Sequence, residues 1–223
     1  MADRLNQEAG KVMIMTSANG DDVDAIVESI HASPIATIVT DKRQPDNPII
    51  AANAPFTLLT GYCRDEILGR NCRFLAGRGT EPEAQTALRE SIASGQPIVV
   101  ELTNYRKDGS AFRNAVMIAP VRDRAGKVVL FVGSQMAVDA TNGGGLRRGR
   151  ADAMIAALTP RKRQVLALMA AGYLNRQIAG ILGISRKTVD IHRAQLIEGL
   201  GVNSSTHAVR IAVEAGLVPE RAD

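Results

Sequence analysis

Cysteine and histidine are scarce in this 223-residue chain, and their scarcity closes several routes at once. Two cysteines, Cys63 and Cys72, cannot build a disulfide scaffold, and three scattered histidines offer no ligand spacing for a zinc site. No apolar run approaches the roughly 18 residues that a membrane-spanning helix needs. The N-terminal stretch MADRLNQEAGKVMIMTSANGDD holds one short apolar island around Val12 to Met15, less than a secretory core, and no credible cleavage pattern. A nicotinamide motif is missing as well. The expectation is a non-enzymatic protein of the cytoplasm, with no metal and no membrane partner, whose thiols stay reduced.

What is present divides the chain in two. Residues 1–140 carry 15 Lys and Arg against 17 Asp and Glu, whereas residues 141–223 carry 12 against 6. The positive excess belongs to the last third and points it toward a polyanion. Composition breaks at TNGGGLRRGR (141–150), where three consecutive glycines and a basic cluster mark a linker. The expected organisation is an extension over 1–22, either disordered or a cap on the first domain; that first domain over 23–140; a linker with a helix over 141–157; and a second domain over 158–223.

The first domain reads as α+β. PIATIVTD (34–41) and PIIAAN (48–53) suit short strands, and several short helical patterns occupy 55–94. PIVVELTNYRK (97–107), SAFRNAVMIAPV (110–121) and KVVLFVGSQMAV (127–138) then form a three-strand meander punctuated by the hairpin signals KDGS and DRAG. A hairpin centred on Gly109 predicts Asn104 opposite Asn114, and a two-residue loop at Arg124-Ala125 predicts Asn114 opposite Gln135. Opposed residues share a face, so the three would form one row of amides. Such a row among Val, Ile, Leu and Phe is costly unless its donors and acceptors are met. A flat heterocycle with alternating carbonyls and ring nitrogens would meet them. Amide-to-amide or amide-to-water pairing is the alternative.

GRNCRFLAG (69–77) leaves Cys72 open as a packed core residue, a low-pKa redox thiol flanked by arginines, or a reactive group. The stretch is similar to the Gly-x-Asn-Cys-Arg-Phe-Leu-Gln signature of LOV photoreceptors, the flavin-binding branch of the PAS domains. The likeness extends over about 30–138 through ASPI, NAPFTLLTGY and NYRKDGSAFRN. It implies a five-stranded antiparallel sheet with helices on one face. It also implies FMN as cofactor: Arg73 and Arg89 on the phosphate, Asn71 near the ribityl chain, and Asn104, Asn114 and Gln135 on the polar edge of the ring. Ile38 and Ile118 would pack beside the flavin, and Cys72 would form a reversible light-driven bond to flavin C4a. Ala76 departs from the signature glutamine and removes one hydrogen bond. Cys63 matches no motif and reads as structural.

The second domain is helical throughout. Thr159 with Pro160 suits a helix start, and Val165, Leu166, Leu168 and Met169 form an apolar stripe. Asn175 suits the cap of a second helix, Ser185 that of a third, and a fourth runs from about Ser205 to Gly216. Helix, short turn, then a capped basic helix is the helix-turn-helix layout. LTPRKRQVLALMAAGYLNRQIAGILGISRKTVDIHRAQLIEGLGV resembles the LuxR/NarL-type DNA-binding domain over about 158–218. On a helical wheel Val189, Arg193, Leu196 and Leu200 share one side of the third helix, opposite Lys187, Thr188, Ile191, Ala194 and Gln195. That opposite side should enter the major groove of double-stranded DNA. Asp190, where the family often has lysine, cannot bind phosphate but can accept from a cytosine amine. Arg186 and Lys187, with Arg161, Lys162, Arg163 and Arg176, are the phosphate candidates. In the fourth helix Val209, Ala212 and Val213 are assigned to its own bundle, and Ala208, Ile211 and Ala215 to a dimer partner.

The combined expectation is a blue-light-regulated transcription factor. In darkness the sensor's sheet would cover the DNA-binding domain or its dimerising helix, and light would release it to form a homodimer on DNA. The rival is a flavin redox sensor that makes no cysteine bond.

Overall fold

The computed structural model describes residues 20–138, 144–217 and 219. The assignments to residues 1–19 and 141–143 lie outside the described residues. Helix α1 (Gly20–His31) precedes strands β1 (Ala36–Asp41) and β2 (Ile49–Ala52). Helices α2 (Ala54–Thr60) and α3 (Arg64–Ile67), the 3₁₀ turn Cys72–Leu75 and α4 (Pro82–Ser94) come next, then β3 (Ile98–Tyr105), β4 (Ala111–Arg122) and β5 (Val128–Ala137). All five strands are antiparallel in the order β2-β1-β5-β4-β3. The segment from α2 to α4 covers one face. The other face is covered by α1, whose Val23 and Ile30 pack on Val39 and Ala51, and by the C-terminal domain.

One side chain fixes how the first elements meet. Asn53 caps α2 by accepting from Phe56 N at 3.1 Å, and the same Oδ1 accepts from Thr37 N at 2.9 Å. Its amide donates to Ile30 O at 2.9 Å and Ile35 O at 2.8 Å, so one buried residue ties α1, β1 and α2 together.

Both hairpins differ from their expected registers. Asn104 lies opposite Phe112, Asn114 opposite Leu102 and Ala137, and Gln135 opposite Val116. The cause is loop chemistry. Gly109 N donates to Arg106 O and Gly126 N to Asp123 O, with φ of +82° and +81° at the two glycines. Each loop is therefore a three-residue turn closed by a left-handed glycine. A bulge between Val121 and Arg122 adds a further offset. Each pairing moves by two residues. An even shift keeps the side chains on their face, so the expected straight row becomes a staggered one.

Helices α5 (Gly144–Ala156), α6 (Pro160–Ala170), α7 (Asn175–Leu182), α8 (Arg186–Gly199) and α9 (Ser205–Glu214) share one core. Thr159 caps α6 and Ser185 caps α8, as their sequence positions suggest. Asn175 instead opens α7 after an extended Leu174, and its side chain is committed elsewhere. Ala151 and Ile155 place α5 in this core with Val165, Ile178, Leu196, Ala208 and Ile211.

The bundle docks on the outer face of the sheet. Gly172 O accepts from Arg122 N at 2.9 Å, Ala171 O from Arg122 Nε at 2.9 Å, and Asp123 O from Gln177 Nε2 at 2.6 Å. A Cβ at Gly172 would sit 2.2 Å from Pro120 O, so only glycine allows this approach.

Candidate functional site

A cavity of about 580 Å³ lies between the sheet and the segment from the 3₁₀ turn to α4. That is ample for a small-molecule ligand. Ile38 of β1, Leu102 of β3, Val116 and Ile118 of β4, and Phe131 and Gly133 of β5 give it an apolar floor. Gly133 keeps that floor low between Ile38 and Ile118, with which it is in register.

Asn71, Cys72, Arg73, Ala76, Arg89, Asn104 and Gln135 line the same cavity with Ile38 and Ile118. Asn114 does not: fully buried, it donates from Nδ2 to Asn104 Oδ1 at 2.9 Å and accepts from Met136 N at 3.1 Å. Asn104 donates in turn to Leu75 O at 3.1 Å. Two of the three amides thus pair with each other. Gln135 Oε1 has no partner among the described residues, and neither have Thr40 Oγ1 and Asn47 Oδ1, all buried and all belonging to residues of the cavity wall. Two orphaned amide oxygens and one unpartnered hydroxyl around one apolar chamber call for a ligand with a polar edge that carries donors. Thr40, Lys42, Asn47, Phe131 and Gly133 are not among the residues the sequence singles out. The alternation of β1 and β5 that faces Ile38 and Gln135 inward carries the signal for all but Lys42 and Asn47, which lie beyond β1.

Cys72 opens the 3₁₀ turn, and Asn71 caps it by accepting from Arg73 N at 3.0 Å. The cysteine is half-buried, and it lines the cavity. Burial pushes the thiol up to about 12. At neutral pH the group is a protonated thiol, which argues against the low-pKa redox reading. Arg73 and Arg89 stand exposed at the mouth. Arg73 pairs with the Asp46 carboxylate, and Arg89 donates to Thr86 Oγ1 at 2.8 Å. Asp46 and Asn47 both hold positive φ, 67° and 50°, in the loop that bears on this mouth. Cys63, exposed, is the N-cap residue of α3. Among the described residues no group of His, Cys, Asp and Glu is arranged to hold a metal, and no helix is long and apolar enough to cross a membrane.

On the opposite face of the same strands lies α9. Arg210 is 1% exposed. It donates to Ser134 Oγ at 3.2 Å and to Ala115 O at 3.1 Å across the domain boundary, and pairs with Glu214 at 2.9 Å. Ser134 and Gln135 are neighbours on β5, and successive residues of a strand point to opposite faces. Gln135 therefore faces the cavity while Ser134 holds the docked helix. The α9 stripe assigned to a dimer partner is instead part of the bundle. Ala208 and Ile211 are buried in its core with Ala212, Ala215 packs against it, and Val209 and Val213 touch that core too while lining the clefts left beside the sheet. Both stripes are apolar, and the second partner is supplied by a distant part of the chain.

The α8 face expected to read DNA stays open while α9 is docked. Arg186, Lys187, Asp190, Ile191, Ala194 and Gln195 are exposed, Thr188 half-buried, and Arg176 is exposed on α7. Val189, Leu196 and Leu200 are buried on the other side, with Arg193 beside them.

Residues 34–136 match the family described as PAS domain, and residues 156–212 match bacterial regulatory proteins of the luxR family. The chain is 45% identical over 115 residues to blue-light-activated histidine kinase 1 of Erythrobacter litoralis, covering 52% of this chain and 32% of that one. It is 46% identical over 101 residues to the blue-light-activated histidine kinase of Brucella abortus, covering 45% and 21%. The chain thus spans a third or less of these curated relatives. A solved structure from work on a flavin analogue and the light-oxygen-voltage domain mechanism is 39% identical, with a TM-score of 0.52, over 56% of this chain and 93% of that one. With a PAS match over its sheet and that likeness over nearly the whole of a light-oxygen-voltage domain, the chain belongs to the LOV branch of the PAS domains, joined to a LuxR-family helix-turn-helix domain.

Proposed function

We propose that the chain is a blue-light-regulated DNA-binding transcription factor that holds a flavin, as FMN, in the LOV cavity. The observation that carries this reading is the back-to-back placement of Gln135, with an unpartnered oxygen on the cavity, and Ser134, bonded to Arg210 of α9. The cavity's composition suits the cofactor: an apolar floor for the ring, orphaned acceptors for its edge, and two arginines at the mouth for a phosphate, with Asp46 yielding Arg73 on binding. Asn71 stands near the ribityl chain, and Asn114 acts through Asn104. Ala76, lacking the amide of a glutamine, costs binding about 1 kcal/mol.

A bound flavin would supply blue-light absorption, and Cys72 would be the residue that gives its thiol proton and sulfur to it, reversibly in darkness. Cys72 is suited to give both, because burial keeps its proton on sulfur. Gln135, whose Oε1 is free to accept on the cavity side, would reorient when the bonding at the flavin's edge changes, and its motion would be felt at Ser134 and so at Arg210. Loss of that hold frees α9, whose Val209 and Val213 side then meets a second copy. The homodimer places Thr188, Asp190, Ile191, Ala194 and Gln195 in paired major grooves, with Arg176, Arg186 and Lys187 on phosphates.

The purified protein should show a structured blue absorption band that bleaches on illumination and recovers in darkness. Cys72→Ala should keep the band and lose the bleaching. A lit protein that neither sediments faster nor binds DNA more tightly than dark protein would refute the regulatory half. A DNA response to reductant surviving in Cys72→Ala would favour the redox alternative.

A further inference from the structure

The exposed face of α8 carries two residues of the wrong charge for DNA, Glu198 near its C-terminal end and Asp190 in its first half. Asp190 sits among Arg186, Lys187 and Ile191, where a free carboxylate would only repel phosphate. It is not a freely moving side chain. Its Oδ1 accepts from Asn175 Nδ2, Asn175 Oδ1 accepts from Arg193 Nη1, and Arg193 Nη2 donates to Ser205 Oγ at 2.8 Å. The relay joins the first residues of α7 and α9 to the middle of α8. Its central guanidinium is largely desolvated, which lowers the Arg193 pKa, with the Asp190 charge opposing that shift. Oδ2 of Asp190 is left without a protein partner among the described residues.

We propose that Asp190 is a base-reading residue that selects cytosine in the operator, held in its reading position by Asn175 and Arg193. An ionised carboxylate only accepts. In the major groove guanine offers two acceptors, N7 and O6, and thymine an acceptor beside a methyl group, so both repel it. Adenine offers one amine beside the N7 acceptor. Cytosine alone presents its N4 amine with no acceptor next to it, and is the base a carboxylate matches. Ile191, 47% exposed on the neighbouring position, suits a thymine methyl. The relay lowers the cost of fixing Asp190, since one carboxylate oxygen is anchored before DNA arrives. This inference rests on the DNA-binding function proposed above.

Selection of duplexes from a randomised library by the illuminated full chain tests it. The native chain should enrich one position for cytosine. Asp190→Ala should lose that preference by about tenfold or more while other positions are unchanged. Asp190→Asn should turn it toward adenine, whose N6 and N7 an amide pairs with. Asn175→Ala should reduce discrimination at that position alone; an equal loss at every position marks Asn175 as merely structural and removes its positioning role. Identical preferences in the native chain and Asp190→Ala overturn the inference and leave DNA binding standing. If the native chain enriches no sequence in light or darkness, the DNA-binding reading fails and takes this one with it.

Discussion

Removing Arg210 should switch the protein on in the dark. The side chain is buried between domains and makes two charge-assisted hydrogen bonds to the sensor, to Ser134 Oγ and Ala115 O, both near the long end of the normal range at 3.2 and 3.1 Å. Hydrogen bonds to charged groups contribute about 1.5–3 kcal/mol each. Taking the low end for both, Arg210→Ala removes about 3 kcal/mol from docking, a shift of about 150-fold between docked and released forms. The Glu214 carboxylate, its ion-pair partner, is then left half-covered, which adds to the same direction. Release carries no such penalty, because both groups then reach water. Dark protein should bind DNA and sediment as native lit protein does, with little further response to light. Ser134→Ala tests the same contact from the sensor side without touching the DNA-binding domain, and should move the equilibrium about twelvefold, for about 1.5 kcal/mol. The two changes should be non-additive. Dark DNA affinity and sedimentation unchanged in both variants would show that α9 is not held by this contact.

Other contacts give three more expected outcomes. Asn53→Ala removes the side-chain acceptor of Thr37 N and Phe56 N and the donor to three carbonyls in the sensor core, and should cost about 3–5 kcal/mol in urea unfolding of the full chain; a loss below about 1 kcal/mol would contradict the bonding described. Gly172→Ala forces a Cβ against Pro120 O and should raise protease sensitivity of the domain boundary in the dark; an unchanged cleavage rate would mean the contact yields cheaply. Burial, then the neighbouring Arg210, lowers the His207 pKa, with Glu214 opposing. A base harder to protonate when folded leaves stability full above its unfolded value of about 6.5 and reduces it as pH falls through the lowered folded value. The melting temperature should therefore fall between pH 7.5 and 5.5, and fall less in His207→Gln.

Signals carried by residues close together in the chain are legible in the sequence itself. Thr159 and Ser185 cap the helices they precede because a side-chain oxygen need only reach an amide three residues on. The strand alternation puts Ile38, Asn104, Ile118 and Gln135 on one face because the side-chain period is two. Even where the hairpin registers differ from expectation that face is kept, since re-centring the first loop on Asp108, and a longer loop plus the Val121/Arg122 bulge in the second, each move the pairing by two residues. What the alternation cannot tell is that Asn114 is spent on Asn104 rather than on the cavity, because hydrogen bonding within a staggered row depends on the offset.

The sequence by itself determined the two domains, their fold classes, the cysteine at a flavin-type cavity and the basic helix with its odd aspartate. Tertiary structure alone decided which apolar stripe of α9 faces the sheet, that Arg210 is buried, and that Asp190 is tethered through Asn175 and Arg193. Each of these depends on atoms supplied from elsewhere in the chain: Arg210 finds its acceptors 76 and 95 residues away, and two equally apolar stripes can be told apart only by what covers them. Local chemistry fixes which elements form, whereas long-range packing fixes which of their faces are used.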